Sequence, residues 1–166
     1  MAGMPAESRH VSERIDRPAA EVYEYVVDPA NIPSWAPGLG TAVENVDGRW
    51  FVQTGSGRVE VAFAERNELG VLDHDVTLPT GEVISNPMRV VPDGSGSEVV
   101  FTVRRQPEMS DEEFARDAGL VQADLTRLKR LLEARRPSLA LAVEQPDAER
   151  AGRLEARGRC GPESIR

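Results

Sequence analysis

The sequence predicts an α+β fold: a seven-stranded antiparallel sheet, with two short helices after strand 1, wrapped around a long C-terminal helix. Three observations carry this. Turn signals recur between residues 41 and 105, at Asp47-Gly48, Gly55-Ser56-Gly57, Asn67 to Gly70, Pro79-Thr80-Gly81 and Pro92 to Gly96, with short β-branched or aromatic segments between them. A single helical stripe, Phe114, Ala118, Val121, Leu125, Leu128 and Leu132, follows them. Ahead of them, an alternating segment at Ser8 to Asp16 runs into Pro18 and a helical period.

Taken in order, the first strand alternates Val11, Glu13 and Ile15 with His10, Ser12 and Arg14. Pro18 suits a first helical position, and Ala19, Val22, Tyr23, Val26 and Val27 share one face. Asp28-Pro29 ends that helix and starts a second short one, with Asp28 as N-cap. The run Ile32 to Gly38, with prolines at 33 and 37, reads as a stiff loop carrying Trp35. Six strands then follow at 41–46, 49–54, 58–66, 71–78, 82–91 and 97–105, with Pro87 expected to make a bulge in the fifth. Ser110 and Glu113 form a capping box for a helix reaching about residue 136, roughly 40 Å long at 1.5 Å per residue. Gly119 inside it reads either as a tolerated glycine or as a kink that makes room for a ligand. Asp117, Asp124 and the arginines of this helix are assigned to its outer surface.

Composition narrows the chemistry. The 166 residues carry 28 acids against 20 bases, a net charge of −8, which disfavours phosphate-dominated binding of nucleic acid and attraction to anionic membranes. The last 30 residues hold five acids and five arginines, so the whole of that charge falls on residues 1–136. It favours an uncharged or weakly polar ligand over an anionic one. No apolar run approaches the length of a membrane span, and the N-terminus lacks a secretory h-region, so no membrane insertion and a cytoplasmic location are expected. Cys160 is the only cysteine, which excludes an intrachain disulfide, and neither His10 nor His74 stands in a metal-ligand spacing. No metal and no cofactor are expected. The eight aromatic residues are few enough to leave a bent sheet unfilled around one helix.

The order of elements and several stretches resemble the START-like, or Bet v 1-like, helix-grip superfamily (SRPBCC), in its polyketide cyclase/dehydrase and lipid-transport branch. The resemblance lies in His10-Val-Ser-Glu-Arg-Ile-Asp-Arg-Pro-Ala-Ala-Glu-Val-Tyr23, in Asp28-Pro29-Ala-Asn-Ile-Pro-Ser-Trp35, in Gly96 to Arg104 and in the helix from Ser110. It implies a helix-grip ligand-binding domain over 1–136; residues 137–166 lie outside it and, rich in breakers and without strong periodicity, read as a mostly disordered tail with a marginal helix near 146–157. It also implies a small hydrophobic partner held in an internal cavity. The superfamily has no universal catalytic motif, so no catalytic residue carries over by position.

Strand phase selects the candidate site residues. Leu72, His74, Val76 and Leu78 share an apolar face, so His74 is either a satisfied core histidine or a general acid–base beside a bound carbonyl. Ile84, Asn86, Met88 and Val90 share another, unless Pro87 shifts the register; Asn86 either bonds a ligand or caps a bulge. In the last strand Phe101 and Val103 are in phase with Arg105, which becomes the second catalytic candidate, a cation to polarise a carbonyl. Trp35 either stacks on a flat ligand or staples its loop to the core. Trp50, Phe63, Met88 and Phe101 are expected as apolar lining. Glu13, in phase with Val11 and Ile15, needs a partner or an open end. Two functions follow: binding of a hydrophobic, ring-bearing molecule, or aldol closure and dehydration of a poly-β-carbonyl chain.

Overall fold

The computed structural model describes residues 5–135. The expected tail and its marginal helix lie outside the described residues. Strand β1 (Ser8–Ile15) leads into α1 (Ala19–Val26), a 3-10 turn at Pro29–Asn31 and the single-turn α2 (Ile32–Trp35). Pro18 stands at the N-cap of α1, where its carbonyl accepts from the N–H groups of Glu21 and Val22. Asp28 caps the 3-10 turn as expected, accepting from the Ala30 N–H at 3.0 Å. The loop expected at 32–38 is helical over its first half, because Pro33 falls in the first turn, where no backbone donor is needed.

Seven further strands follow: β2 (Ala42–Val46), β3 (Arg49–Thr54), β4 (Gly57–Phe63), β5 (His74–Thr77), β6 (Val83–Asn86), β7 (Met88–Asp93) and β8 (Gly96–Arg104). The β2–β3 turn has left-handed backbone at both Asp47 (φ 52°) and Gly48 (φ 83°), the conformation that matches strand twist in a two-residue hairpin. The strands form two antiparallel sheets, ordered β1-β8-β7 and β2-β3-β4-β5-β6.

Eight strands replace the expected seven because Pro87 divides one segment between the two sheets. Asn86 pairs with His74 on β5, while Met88 pairs with Phe101 on β8. Pro87 has no N–H for a ladder, but its carbonyl still accepts from the Thr102 N–H. Asp73 repairs the break by accepting from the Met88 N–H at 2.8 Å and pairing with Arg89. No register slip results, so the expected inward face persists across the break.

The long helix α3 (Asp111–Glu133) begins at the expected capping box, Ser110 and Glu113 each satisfying the other's N–H. Phe114, Leu125, Leu128 and Leu132 are fully buried, and α3 packs chiefly on β1, α2 and β8. Gly119 lies in an unbroken helix with open space around its α-carbon, the tolerated-glycine reading. Polar ties hold the helix along this side. Glu13 accepts from Gln122 and Thr126, which supplies the partner it required. At the C-terminal end Arg17 donates to the Glu133 carbonyl, and the Glu133 carboxylate accepts from the Asp16 N–H and Lys129. Anchored to β1 and β8, the helix stands off from the concave face of the other sheet.

Candidate functional site

The space left between α3 and the five-stranded sheet is a cavity of about 590 Å³. Its walls come from β3–β6, from Phe101 and Val103 on β8, from Trp35 and Leu39 before β2, and from Met109, Leu120, Val121 and Leu125 at α3. The lining is mainly apolar, with isolated polar groups at Thr54, Ser56, His74, Thr80, Asn86, Arg104, Gln106, Asp117 and Asp124.

His74 occupies the middle of the sheet wall. It pairs with Phe63 on β4 and Asn86 on β6, so these three form a row across three strands. Its ring lies 5.0 Å from that of Phe63 and meets the Phe101 ring edge-on at 5.7 Å. Nδ1 is 3.0 Å from the Leu72 carbonyl oxygen, which can only accept, so Nδ1 carries the proton and Nε2 is left with its lone pair. Burial pushes the pKa of this imidazole below its ordinary value, against smaller opposing effects of the Leu72 carbonyl and Asp75. The ring is therefore neutral at physiological pH. Its neighbours Asp73 and Asp75 point away, to Arg89 and Ser85, so neither forms a dyad with it.

Of the expected site residues, Trp35, His74, Asn86 and Phe101 are brought together on the cavity wall. Phe63 stands beside His74 on the neighbouring strand, ring against ring, and is not on the cavity lining. Met88 is fully buried in the core under β8 rather than on the wall, and Trp50 is half-buried opposite Val61, away from the cavity. Arg105 does not reach the cavity either. The strand ends at Arg104, so the alternation that placed Arg105 inward stops one residue short. The Arg105 guanidinium instead pairs with Glu7 and Asp111 and donates to the Met109 carbonyl at 3.0 Å, bracing the start of α3. The arginine on the lining is Arg104, exposed at the rim.

Trp35 is 5% exposed, and its indole N–H has no hydrogen-bond partner among the described residues. An unsatisfied buried donor costs about 1–3 kcal/mol, and the fold carries that cost here.

Two acids contradict their expected place on the outer surface of α3. Asp117 and Asp124, flanking Val121 by four and three residues, are half-buried on the cavity wall. Burial raises the Asp117 pKa. It raises that of Asp124 to about 6, against the opposing Gly38 N–H and the charge of Arg127. The Gly38 N–H donates to Asp124 at 3.3 Å, and a β-carbon at Gly38 would lie 2.9 Å from the carboxylate, so glycine is what admits it. The signal was present in the sequence as two acids seven apart beside Val121, one position off the main stripe. What it lacked was the knowledge that α3 faces an empty space on that side. Among the described residues no cluster of His, Cys, Asp or Glu could hold a metal, and no helix is long and apolar enough to cross a membrane.

Residues 8–133 match the family model described as polyketide cyclase/dehydrase and lipid transport. No curated protein matches. Among solved structures, an uncharacterised protein from Bacillus thuringiensis superposes with a TM-score of 0.62 at 14% identity, covering 76% of this chain and 99% of that one. DynU16, from the dynemicin biosynthetic locus, gives 0.59 at 19% identity over 78% of this chain and 48% of its own. The di-domain ARO/CYC BexL, from the BE-7585A biosynthetic pathway, gives 0.57 at 18%, over 76% and 46%. The chain thus spans about half the length of the latter two, and at these identities the likeness is one of fold.

Proposed function

This chain belongs to the polyketide cyclase/dehydrase and lipid-transport family, and from that premise we propose that it binds a small hydrophobic, ring-bearing molecule in the cavity beneath α3. The observation that carries the proposal is the cavity itself: about 590 Å³, within the range of about 300–1,000 Å³ that holds drug-sized ligands, and walled mainly by apolar side chains. Burying about 400 Å² of apolar ligand surface contributes about 10 kcal/mol at 25 cal/mol/Å². Association removes at least about 4 kcal/mol of this, leaving affinity in the tens of micromolar. Shape alone therefore binds weakly, and the few polar groups on the wall decide which ligand is kept. Trp35 supplies aromatic surface for stacking.

Native mass spectrometry of the freshly purified full chain tests this. A retained small molecule, released on denaturation and lost in a cavity-filling Val121→Trp variant that remains folded, is the expected result. Absence of any adduct, together with no saturable binding of apolar fluorescent probes, would overturn it.

A second reading, cyclase or aromatase chemistry on a poly-β-carbonyl chain, is favoured by the state of His74. A neutral imidazole with a free Nε2 lone pair is a ready base. Nε2 would take a proton from the carbon between two carbonyls, and the resulting enolate would attack a third carbonyl carbon to close the ring. The imidazolium would return its proton to the new alkoxide, and loss of water would follow. This reading expects product from such a chain, and His74→Ala to abolish turnover while the ligand still binds. Its depressed pKa keeps His74 in the base form below neutrality, so the acid limb of the rate profile should fall below the ordinary histidine value of about 6.5. Turnover unchanged in His74→Ala would remove His74 from the chemistry.

A further inference from the structure

Resting on the ligand-binding reading above, we propose that the ring-bearing ligand is cationic, an amine whose ammonium group is held between Asp117 and Asp124 on α3 and His74 on the facing sheet. Three acceptor groups with lone pairs to spare, from two walls, carry this. Asp117 and Asp124 line the cavity, and neither makes an ion pair among the described residues. His74 is 7% exposed and lines the same cavity, and no described residue bonds its Nε2. With Nδ1 donating to Leu72, that nitrogen can only accept from a ligand. An ammonium group carries only donors, the complement of acceptors left open on this lining.

The alternatives fail on desolvation. A neutral ligand that fills the cavity strips water from both carboxylates and returns no charge, which is the costly way to bury an ion. An anionic ligand adds repulsion to that cost. A cation compensates both carboxylates and leaves its ring system to the apolar sheet wall. The nearby basic groups do this only in part, since the charge of Arg127 acts on Asp124 without forming an ion pair with it. Arg104 is exposed at the rim, and Arg127 commits its Nε to the Ser34 carbonyl. The Gly38 N–H gives Asp124 one hydrogen bond and no charge.

Three matched probes, anthracene bearing an aminomethyl, a hydroxymethyl or a carboxylate group, separate the outcomes when titrated by fluorescence into the full chain. The aminomethyl compound should bind at least about tenfold tighter than the hydroxymethyl one, with the carboxylate weakest. In the Asp117→Asn/Asp124→Asn double variant, checked for folding by its thermal transition, the preference should fall to about twofold or less, through weaker aminomethyl binding and tighter hydroxymethyl binding. Equal affinities of all three probes for the native chain would overturn the cationic ligand and leave the hydrophobic site standing. A preference that survives in the double variant would overturn the assignment to these two acids. No saturable binding of any probe would overturn both proposals.

Discussion

Along β1 and β8 the helix α3 presses Phe114, Leu125, Leu128 and Leu132 into a core where each is fully buried, whereas toward β3–β6 the same helix offers Asp117, Val121 and Asp124 to an open cavity. The two faces are separated by a single position of the helical period, since 117 adjoins 118 and 124 adjoins 125. On the first side, hydrogen bonds from Gln122 and Thr126 to Glu13, and from Asp16 to Glu133, hold helix and sheet in contact. On the second, the main tie from α3 runs to the Trp35 segment through Asp124 and Arg127 rather than to the sheet. One helix thus acts as the filling of one sheet and as the roof over the other.

The sharpest way to break this contrast is a pair of truncations. Leu128→Ala, on the packed side, should cost about 3–4 kcal/mol in urea unfolding, the transfer loss plus an unrelaxed cavity. Val121→Ala, on the roof, should cost less than about 1 kcal/mol, because the space beside it is already open. Equal losses would mean that the cavity is packed like a core.

Smaller changes sharpen the same division. The roof half of α3 depends on its own cap, so Ser110→Ala should lower stability by about 1 kcal/mol, read as a shift in the urea midpoint. Asp124 gives a pH-dependent counterpart. Its folded pKa, about 6, lies above the ordinary aspartate value, so ionisation is disfavoured in the folded state and stability falls as pH rises through this range. Asp124→Asn removes that penalty while keeping an acceptor for the Gly38 N–H. Discounted for partial exposure, the gain should be about 1 kcal/mol at pH 8 and nil at pH 4. A gain independent of pH would show that the carboxylate's charge is not what strains this wall. Least affected of all should be an exposed pair outside both regions: Glu24→Gln, which frees Arg66, should stay within about 0.5 kcal/mol.

The features read correctly from sequence are those set within a few residues. The Ser110–Glu113 box, the Asp28 cap and the inward phase of His74 depend on spacing and local hydrogen bonds. So does the face shared by Ile84, Asn86, Met88 and Val90, which survived Pro87 because the two strands continue the same alternation. The errors have a common cause in the other direction. Arg105 failed because alternation says nothing about where a strand ends or which carboxylates wait beyond it. Met88 was in phase but entered the other sheet, where the space is filled.

By itself the sequence determined most of the elements in their order, the Asp28 and Ser110 caps and the main apolar faces, because those follow from helical and strand periods acting along the chain. Only the tertiary structure decided that Pro87 carries the chain from one sheet to the other, that α3 rests on β1 and stands clear of β3–β6, and that Asp117 and Asp124 face His74's wall rather than water. A cavity is a distance between elements far apart in sequence. It is set by which of them the core pulls together, and no local pattern records what is left apart.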